Sequence, residues 1–348
     1  MSDILIECVP NISEGRDLKI IQSIVDAAKS VEGAFVLGCE PDSDYNRTVI
    51  TIAGKPKPVM QAAYNLIIKS SEMIDMSKHV GNHPRMGAVD VCPFVPLSNN
   101  SMKYCIEACK ELSTLIGTKI PHFFYGEAAT DHNRKSLSSL RKLEYEGLES
   151  RFNGGKWADE STRMPDLWSG DWGDSERRFG AVAIGARNIL VAYNVNVDEL
   201  DAKASKIAGS MIRTSGRLIK NTEQKLRIPG MLKHVQGMGV PLPSSSISQV
   251  SMNLQNVSET PMHMVFEAVK SIVNDHGIST CGSELVGLVP LSAMIDAGKW
   301  YNVNPENASD KELVDSAITG LGLDYLKPFD PQTSIIEWAL EKEVENNE

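Results

Sequence analysis

Residues 88–98, AVDVCPFVPLS, form an apolar run of strand length that ends in Val-Pro-Leu-Ser. The same tetrapeptide returns at residues 289–292, again at the end of an apolar run. Each copy closes the same predicted order of elements, strand-helix-strand-strand-helix-strand. The sequence therefore predicts an α/β (α+β) protein made of two similar subdomains of the split β-α-β type.

The first half of the chain alternates short apolar runs with segments of helical spacing. Strands are predicted there at 4–9, 34–39, 46–54, 88–95 and 121–125, and helices at 20–28, 58–76 and 102–116. The second half repeats the pattern. Strands are predicted in it at 189–197, 232–240, 248–256 and 284–289, and helices at 199–214 and 261–276.

Each predicted sheet needs apolar partners on both of its faces. The simplest arrangement stacks the two sheets face to face, with the helices outside. We therefore expect one subdomain at 1–188, a second at 189–330, and a C-terminal helix and tail at 331–348.

Composition and charge exclude several classes of protein. The formal charge is −10, so the surface as a whole is not built to bind nucleic acid or an anionic membrane. No stretch approaches the ~18 consecutive apolar residues of a membrane helix, and the N-terminal residues do not resemble a signal peptide. The six cysteines include no CxxC pair and mostly lie in apolar runs, which indicates reduced core thiols in a cytoplasmic protein.

The loop KHVGNHPRMG at residues 78–87 contains the strongest candidate for chemistry, His83. A histidine with an ordinary pKa of about 6.5 can accept and donate a proton at neutral pH. Spacing alone fits equally well a histidine that caps or braces the loop. His79 and His83 form an H-x3-H pair, but the glycine and proline inside the loop disfavour a helix, and a catalytic zinc needs three protein ligands. We therefore predict no metal site.

Two further loops carry polar residues that suit a small polar substrate. Asn11 follows the first predicted strand, and ligands of open α/β sheets gather at the carboxyl ends of strands. The alternative is an ordinary turn with a capping serine. Glu40, Asp44 and Arg47 lie in an acidic loop that suits either a cationic group or a solvated surface.

Six segments together resemble the formiminotransferase domain family, that is, the glutamate formimidoyltransferases. They are ECVPNISEGRD, DYNRTVITIAG, IDMSKHVGNHPRMGAVDVCPFVPLS, FYGEAA, GARNILVAYNVNV and ELVGLVPLSAM. The resemblance implies transfer of a formimidoyl group from N-formimidoyl-L-glutamate to N5 of tetrahydrofolate, a step of histidine degradation. It also implies a homodimer, with tetrahydrofolate as co-substrate and no metal.

The resemblance also assigns roles to residues. The histidine of the family's HPRMG motif is catalytic, and His83 occupies that position here. One imidazole could take the proton from N5 and give it to the leaving amine. The family's folate-contacting segment corresponds to Gly173, Asp174, Ser175, Glu176, Arg177, Arg178, Phe179 and Gly180. The candidates for binding the donor substrate are Asn11, Glu40, Asp44, Arg47 and Arg85.

Alternative functions remain open on the sequence. The same scaffold could transfer a formyl group between N-formylglutamate and tetrahydrofolate, or could bind folate without catalysis; a metal hydrolase is a more distant alternative. Vertebrate members of the family continue into a cyclodeaminase domain. These 348 residues contain no such segment, so we expect a separate cyclodeaminase to process the product.

We expect His83→Ala to fold normally and to lose about 10²–10⁴-fold in turnover, the usual contribution of a general acid–base group. His79→Ala should cost much less, because only His83 stands at the family's catalytic position. Steady-state kinetics of both variants, with circular dichroism to verify folding, test this. Equal losses at the two positions, together with metal dependence, would indicate a metal site instead.

Overall fold

The computed structural model describes residues 4–43, 45–81, 84–97, 101–220 and 225–347. The chain divides into two compact units, unit 1 (Met1–Asn188) and unit 2 (Ile189–Glu348). Both are mixed α/β structures with a hydrophobic core of their own.

Unit 1 consists of a mixed sheet and the helices that pack on it. Its described strands are β1 (Ile6–Cys8), β2 (Asn11–Ile12), β3 (Ala34–Asp42), β4 (Arg47–Gly54), β5 (Val89–Pro96), β6 (His122–Gly126) and β7 (Val182–Ala186). Its described α-helices are α1 (Leu18–Lys29), α2 (Pro56–Met73), α3 (Met102–Ile116), α4 (Leu137–Leu140), α5 (Leu148–Phe152) and α6 (Asp174–Phe179).

The sheet of unit 1 has an antiparallel part and a parallel part. β1 and β2 form one interrupted strand between β4 and β5, and β3 pairs with the outer side of β4. β7 and then β6 continue the sheet in parallel beyond β5. If β1 and β2 count as the first strand, the antiparallel part has the order 2-3-1-4 that is typical of the split β-α-β fold.

Unit 2 repeats this order. Its described strands are β8 (Val191–Val197), β9 (Arg217–Lys220), β10 (Lys225–Ile228), β11 (Val235–Leu242), β12 (Ile247–Leu254) and β13 (Thr280–Val286). Its described α-helices are α7 (Lys203–Ile212), α8 (Met262–Asn274), α9 (Leu291–Tyr301), α10 (Asp310–Leu321), α11 (Pro331–Ser334) and α12 (Ile336–Asn347). The antiparallel order β11-β12-β8-β13 is again 2-3-1-4, which confirms the predicted repeat. The predicted stacking of the two sheets stays a prediction.

Helices α1, α2 and α3 bury their apolar sides on one face of the unit 1 sheet. On the other face, residues of β5, β6 and β7 pack against α4, α5 and the chain that follows them. The ring of Phe152 contacts Trp168 and Trp172, with ring centroids 4.9 and 5.4 Å apart. Packing on the second face of the sheet therefore accounts for these two tryptophans.

Several elements differ from the sequence expectations. Strand β7 is not among the predicted elements, because a short strand buried on both faces has no alternating pattern. The last strand of unit 2 is predicted at 284–289, whereas β13 ends at Val286. Val289 instead forms a bridge with Ile335, just before α12. Four cysteines are buried, as expected, but Cys39 is exposed. The division of residues 331–348 into a separate C-terminal helix and tail stays a proposal.

Within the described residues, no helix has both the length and the apolarity needed to span a bilayer.

Candidate functional site

The turn between β3 and β4 ties together the loops on either side of it. Asn46 accepts a hydrogen bond from the Gly15 amide at 2.9 Å and donates one to the Val80 carbonyl at 3.0 Å. Its φ is 51°, a left-handed conformation that Asn tolerates better than most residues. Gly81 comes so close to this turn that a Cβ would clash with the Tyr45 carbonyl oxygen. The loop after β2, the turn and residues 79–81 are thus held as one body.

His79 braces the loop that contains His83. Its Nε2 lies 3.0 Å from the Asn46 carbonyl oxygen, and Nδ1 lies 3.3 Å from Nε of Arg85. Since a carbonyl only accepts and a guanidinium only donates, the ring is neutral with its proton on Nε2. Burial is the main cause that lowers the pKa of His79; the Asn46 carbonyl opposes it and the Arg85 charge adds to it. Both ring nitrogens are therefore engaged within the protein.

The described part of the chain holds no group of three His, Cys, Asp or Glu side chains arranged as metal ligands. His83 and Asp44, two of the predicted site residues, lie outside the described residues.

Arg85 is a buried cation with partners inside unit 1. Its guanidinium donates to both oxygens of Glu146, at 3.0 and 2.6 Å, and to Glu144 at 3.2 Å. The hydrogen bond from Arg85 lowers the pKa of the Glu146 carboxyl. Two carboxylates thus balance one guanidinium, and residues 144–146 are held against the loop. A contact between Arg85 and the donor substrate stays a prediction.

Asp90 is a buried carboxylate placed by a bulge. The register of β2 against β5 shifts at this residue, so Asp90 is the extra residue of β5, and bulges of this kind redirect a side chain. It accepts hydrogen bonds from the Met86 amide at 3.0 Å and from Arg141 Nε at 3.1 Å, and it also pairs with Arg141 Nη2. Burial raises the pKa of Asp90, and Arg141, the Met86 amide and Arg47 act against that rise.

The predicted folate segment runs directly against the loop that contains His83. Gly87 and Gly180 pair as an antiparallel bridge, and the Ala181 amide donates to the Met86 carbonyl at 3.0 Å. A Cβ at Gly87 would lie 2.8 Å from the Ala181 nitrogen, so the two backbones are closer than a side chain would allow. The structure therefore brings two of the predicted site segments together.

Helix α6 contains most of the folate segment, and its two faces differ. Glu176 is buried and accepts hydrogen bonds from the Gly173 amide at 3.0 Å and from Ser169 Oγ at 3.1 Å. Phe179 packs into the core beneath the helices. The exposed members of the segment are Asp174, Ser175, Arg177 and Arg178. The contacts of this segment with folate stay a prediction, and this exposed face is where a ligand has access.

The two neighbouring arginines of α6 have different environments. Arg177 forms ion pairs with Asp174 at 3.1 Å and with Glu149 at 3.0 Å. Arg178 donates to the backbone carbonyl of Glu72 at 3.3 Å, and no carboxylate of the described residues forms an ion pair with it. Arg178 therefore keeps more of its charge available to an anion.

Three residues predicted to bind the donor substrate share one face of the sheet. Asn11 and Glu40 both lie opposite Val49, and Arg47 is two residues from Val49 on the same strand, so all three point to the same side. Arg47 Nη1 donates to Asn11 Oδ1 at 3.4 Å. Burial lowers the pKa of Arg47, and Asp42 acts against this. The contacts of these three residues with a substrate stay a prediction.

Two family models match nearly the whole chain. The formiminotransferase domain, N-terminal subdomain, matches residues 5–187, and the formiminotransferase domain matches residues 192–341. The chain belongs to the formiminotransferase domain family.

Curated relatives agree with this assignment. A protein of Streptococcus pyogenes serotype M1 named Glutamate formimidoyltransferase is 34% identical over 320 residues, which are 91% of this chain and 99% of that protein. One of the same name from Thermoplasma acidophilum is 36% identical, covering 85% of this chain and 92% of its own length. A Dictyostelium discoideum Formimidoyltransferase-cyclodeaminase is 40% identical over 98% of this chain and 61% of its own length. The chain spans about three fifths of the length of the relatives that carry this double name.

Several residues that hold the candidate site together are not among those predicted from the sequence. Asp90 offered a signal, because it is the single acid in the apolar run at 88–95. Asn46, Arg141 and Tyr145 offered none, because their partners are distant in the chain.

We expect the loop around His79 to loosen as the pH falls below about 6.5, where a histidine in an unfolded chain takes up a proton. The folded state lowers the pKa of His79, so the unfolded state binds more protons in this range. The free energy of unfolding therefore decreases as the pH decreases. Hydrogen exchange of residues 85–88 at pH 7.5 and 5.5, corrected for intrinsic rates, measures this.

The matched control is His79→Gln, which can keep one donor and one acceptor but does not titrate. Its loop should show the smaller pH response. The same response in the wild type and the variant would remove His79 as the cause.

Proposed function

We propose that this protein transfers the formimidoyl group of N-formimidoyl-L-glutamate to N5 of tetrahydrofolate, releasing L-glutamate. The observation that carries the proposal is the backbone pairing at Gly87 and Gly180. It joins the segment that the family resemblance assigns to folate to the loop that contains the proposed catalytic histidine. Relatives that this chain matches over nearly their full length carry the name Glutamate formimidoyltransferase.

In the proposed reaction N5 attacks the amidine carbon of the donor, and the tetrahedral intermediate expels the glutamate amine. N5 loses a proton as the new bond forms, and the departing nitrogen gains one. We propose His83 as the group that carries this proton. Holding the two substrates in attack geometry would supply much of the acceleration. The loop is anchored on both sides of His83, by His79 before it and by Met86 after it.

The donor carries carboxylates at one end and a cationic amidine at the other. We propose that Arg47, with Asn11 beside it, binds a carboxylate of the donor, since guanidinium and carboxylate form strong charge-assisted hydrogen bonds. Glu40, on the same face of the sheet, and Asp44 are proposed to orient the amidine. The charge of Arg85 is balanced by Glu144 and Glu146, so we propose that Arg85 holds the loop. Its contact with the donor substrate stays a prediction.

The remaining parts of the functional assignment rest on the family alone. We propose a cytoplasmic homodimer that functions in histidine degradation and one-carbon metabolism. The product, 5-formimidoyltetrahydrofolate, would be the substrate of a cyclodeaminase activity. A cyclodeaminase on a separate chain stays a prediction.

A transfer assay with purified protein decides between the candidate functions. With formimidoylglutamate and tetrahydrofolate we expect one glutamate released per 5-formimidoyltetrahydrofolate formed, followed by mass spectrometry. Faster turnover of N-formylglutamate would favour the formyl transferase. Binding of tetrahydrofolate without turnover of either donor would favour a non-catalytic folate-binding protein.

We expect Arg178→Ala to raise the KM for tetrahydrofolate more than Arg177→Ala does, because two carboxylates already pair with Arg177. The effect should be larger for polyglutamylated folate and should weaken as salt screens the charges. The KM for formimidoylglutamate should move less. Kinetics at low and high salt with both forms of folate test this, with each single variant as the control for the other. An unchanged folate KM in both variants at low salt would remove the arginines from the site.

A further inference from the structure

Residues 141–149 begin directly after α4 and extend into the first two residues of α5. They have no role in the proposed reaction, yet they contact both segments of the site. On one side lies the loop that contains His83. On the other side lies helix α6. We call residues 141–149 the bridging segment.

The bridging segment holds the loop by three kinds of contact. Arg141 forms an ion pair with Asp90, whose carboxylate also accepts a hydrogen bond from the Met86 amide. The Tyr145 amide donates to the Arg85 carbonyl at 2.8 Å. Glu144 and Glu146 both form ion pairs with the Arg85 guanidinium. Backbone and side chain of the loop are therefore both fixed by this segment.

The same segment also holds helix α6. The hydroxyl of Tyr145 donates to the Arg177 carbonyl at 2.6 Å, and the Glu149 carboxylate pairs with the Arg177 guanidinium at 3.0 Å. Burial raises the pKa of Tyr145, so its hydroxyl stays a donor at neutral pH. Tyr145 thus contacts the loop through its backbone and helix α6 through its side chain.

The conformation of the bridging segment is unusual for residues with a Cβ. Leu143 and Glu144 have φ of 64° and 53°. Left-handed backbone at consecutive non-glycine residues persists only where the surroundings fix it, and such strain clusters at functional sites. Gly147 allows the tight turn, since a Cβ there would clash with the Leu143 side chain.

We propose that residues 141–149 are a positioning element that sets the distance between helix α6 and the loop that contains His83, with Tyr145 as the residue that joins them. The inference rests on the proposed function, because positioning matters only if the two segments hold reacting partners. None of these residues touches the reacting atoms in this scheme. They act through Arg85, Met86 and the backbone of α6.

The first test is Tyr145→Phe, which removes the hydroxyl and keeps both the ring and the backbone hydrogen bond. Loss of one such hydrogen bond should raise the KM for tetrahydrofolate by about 2- to 12-fold. The KM for formimidoylglutamate should stay within about twofold. Tyr301→Phe is the matched control, because it also removes one hydroxyl hydrogen bond, to Glu267 at 3.0 Å, in unit 2. A purely structural role would lower both variants' stability without this split between the substrates.

The second test concerns the loop. Glu146→Gln weakens the pairing with Arg85, and we expect kcat to fall by about 10-fold or more, since small misplacements can cost up to ~100-fold. Glu160→Gln is the matched control. Glu160 is an exposed acid of the same unit that pairs with Arg163 at 2.6 Å, the same distance as the shorter Glu146–Arg85 contact. Its kcat should equal that of the wild type.

A measurement that needs no turnover separates this inference from the proposed function. Tyr145→Phe should speed hydrogen exchange at residues 174–181, while Tyr301→Phe should leave exchange there unchanged. If the wild-type protein transfers no formimidoyl group, the proposed function is overturned. The exchange result would then decide by itself whether Tyr145 positions helix α6. Unchanged exchange in Tyr145→Phe, or a folate KM equal to that of the wild type, would overturn the positioning role.

Discussion

At Gly87 and Gly180 two backbones pass each other closer than any side chain would permit. The amide of Ala181 and the carbonyl of Met86 use this space for a hydrogen bond. From this point β5 and β7 run side by side as parallel strands. A buried amide or carbonyl must find a partner, so neither segment can leave without exposing unpaired groups of the other. Residues 86–88 and the C-terminal end of α6 are therefore held together as one unit of structure.

The buried carboxylate of Asp90 stabilises this backbone pairing. Asp90 lies within β5, where an ionised carboxylate is costly unless it is paired and hydrogen-bonded. Arg141 and the Met86 amide supply those partners. Breaking such a pair by removing one member typically costs about 3–5 kcal/mol. The bulge that turns Asp90 toward Arg141 thus links the sheet, the loop and the bridging segment in one network.

The internal repeat explains where the site lies in the chain. Both units contain the same antiparallel sheet of order 2-3-1-4, but in unit 1 the chain continues through β6, the bridging segment, α6 and β7. These added elements cover the second face of the sheet near β5. They also supply partners of the loop from outside the repeat, among them Arg141, Glu144, Tyr145, Glu146 and the backbone at 179–181. The repeat provides the scaffold, and the added elements complete the candidate site.

The sequence by itself determined the layout of this protein. Apolar runs and helical spacing placed most strands and helices of the repeat, because burial of one face imposes a period that is visible in one dimension. The motif around His83 indicated the family. Only the tertiary structure decided the partners of the site. The ring of His79 contacts Asn46, 33 positions away, and Tyr145 meets Arg85 and Arg177 from two other parts of the chain. Such hydrogen bonds depend on the direction and separation of backbones that the fold brings together, and no local periodicity records them.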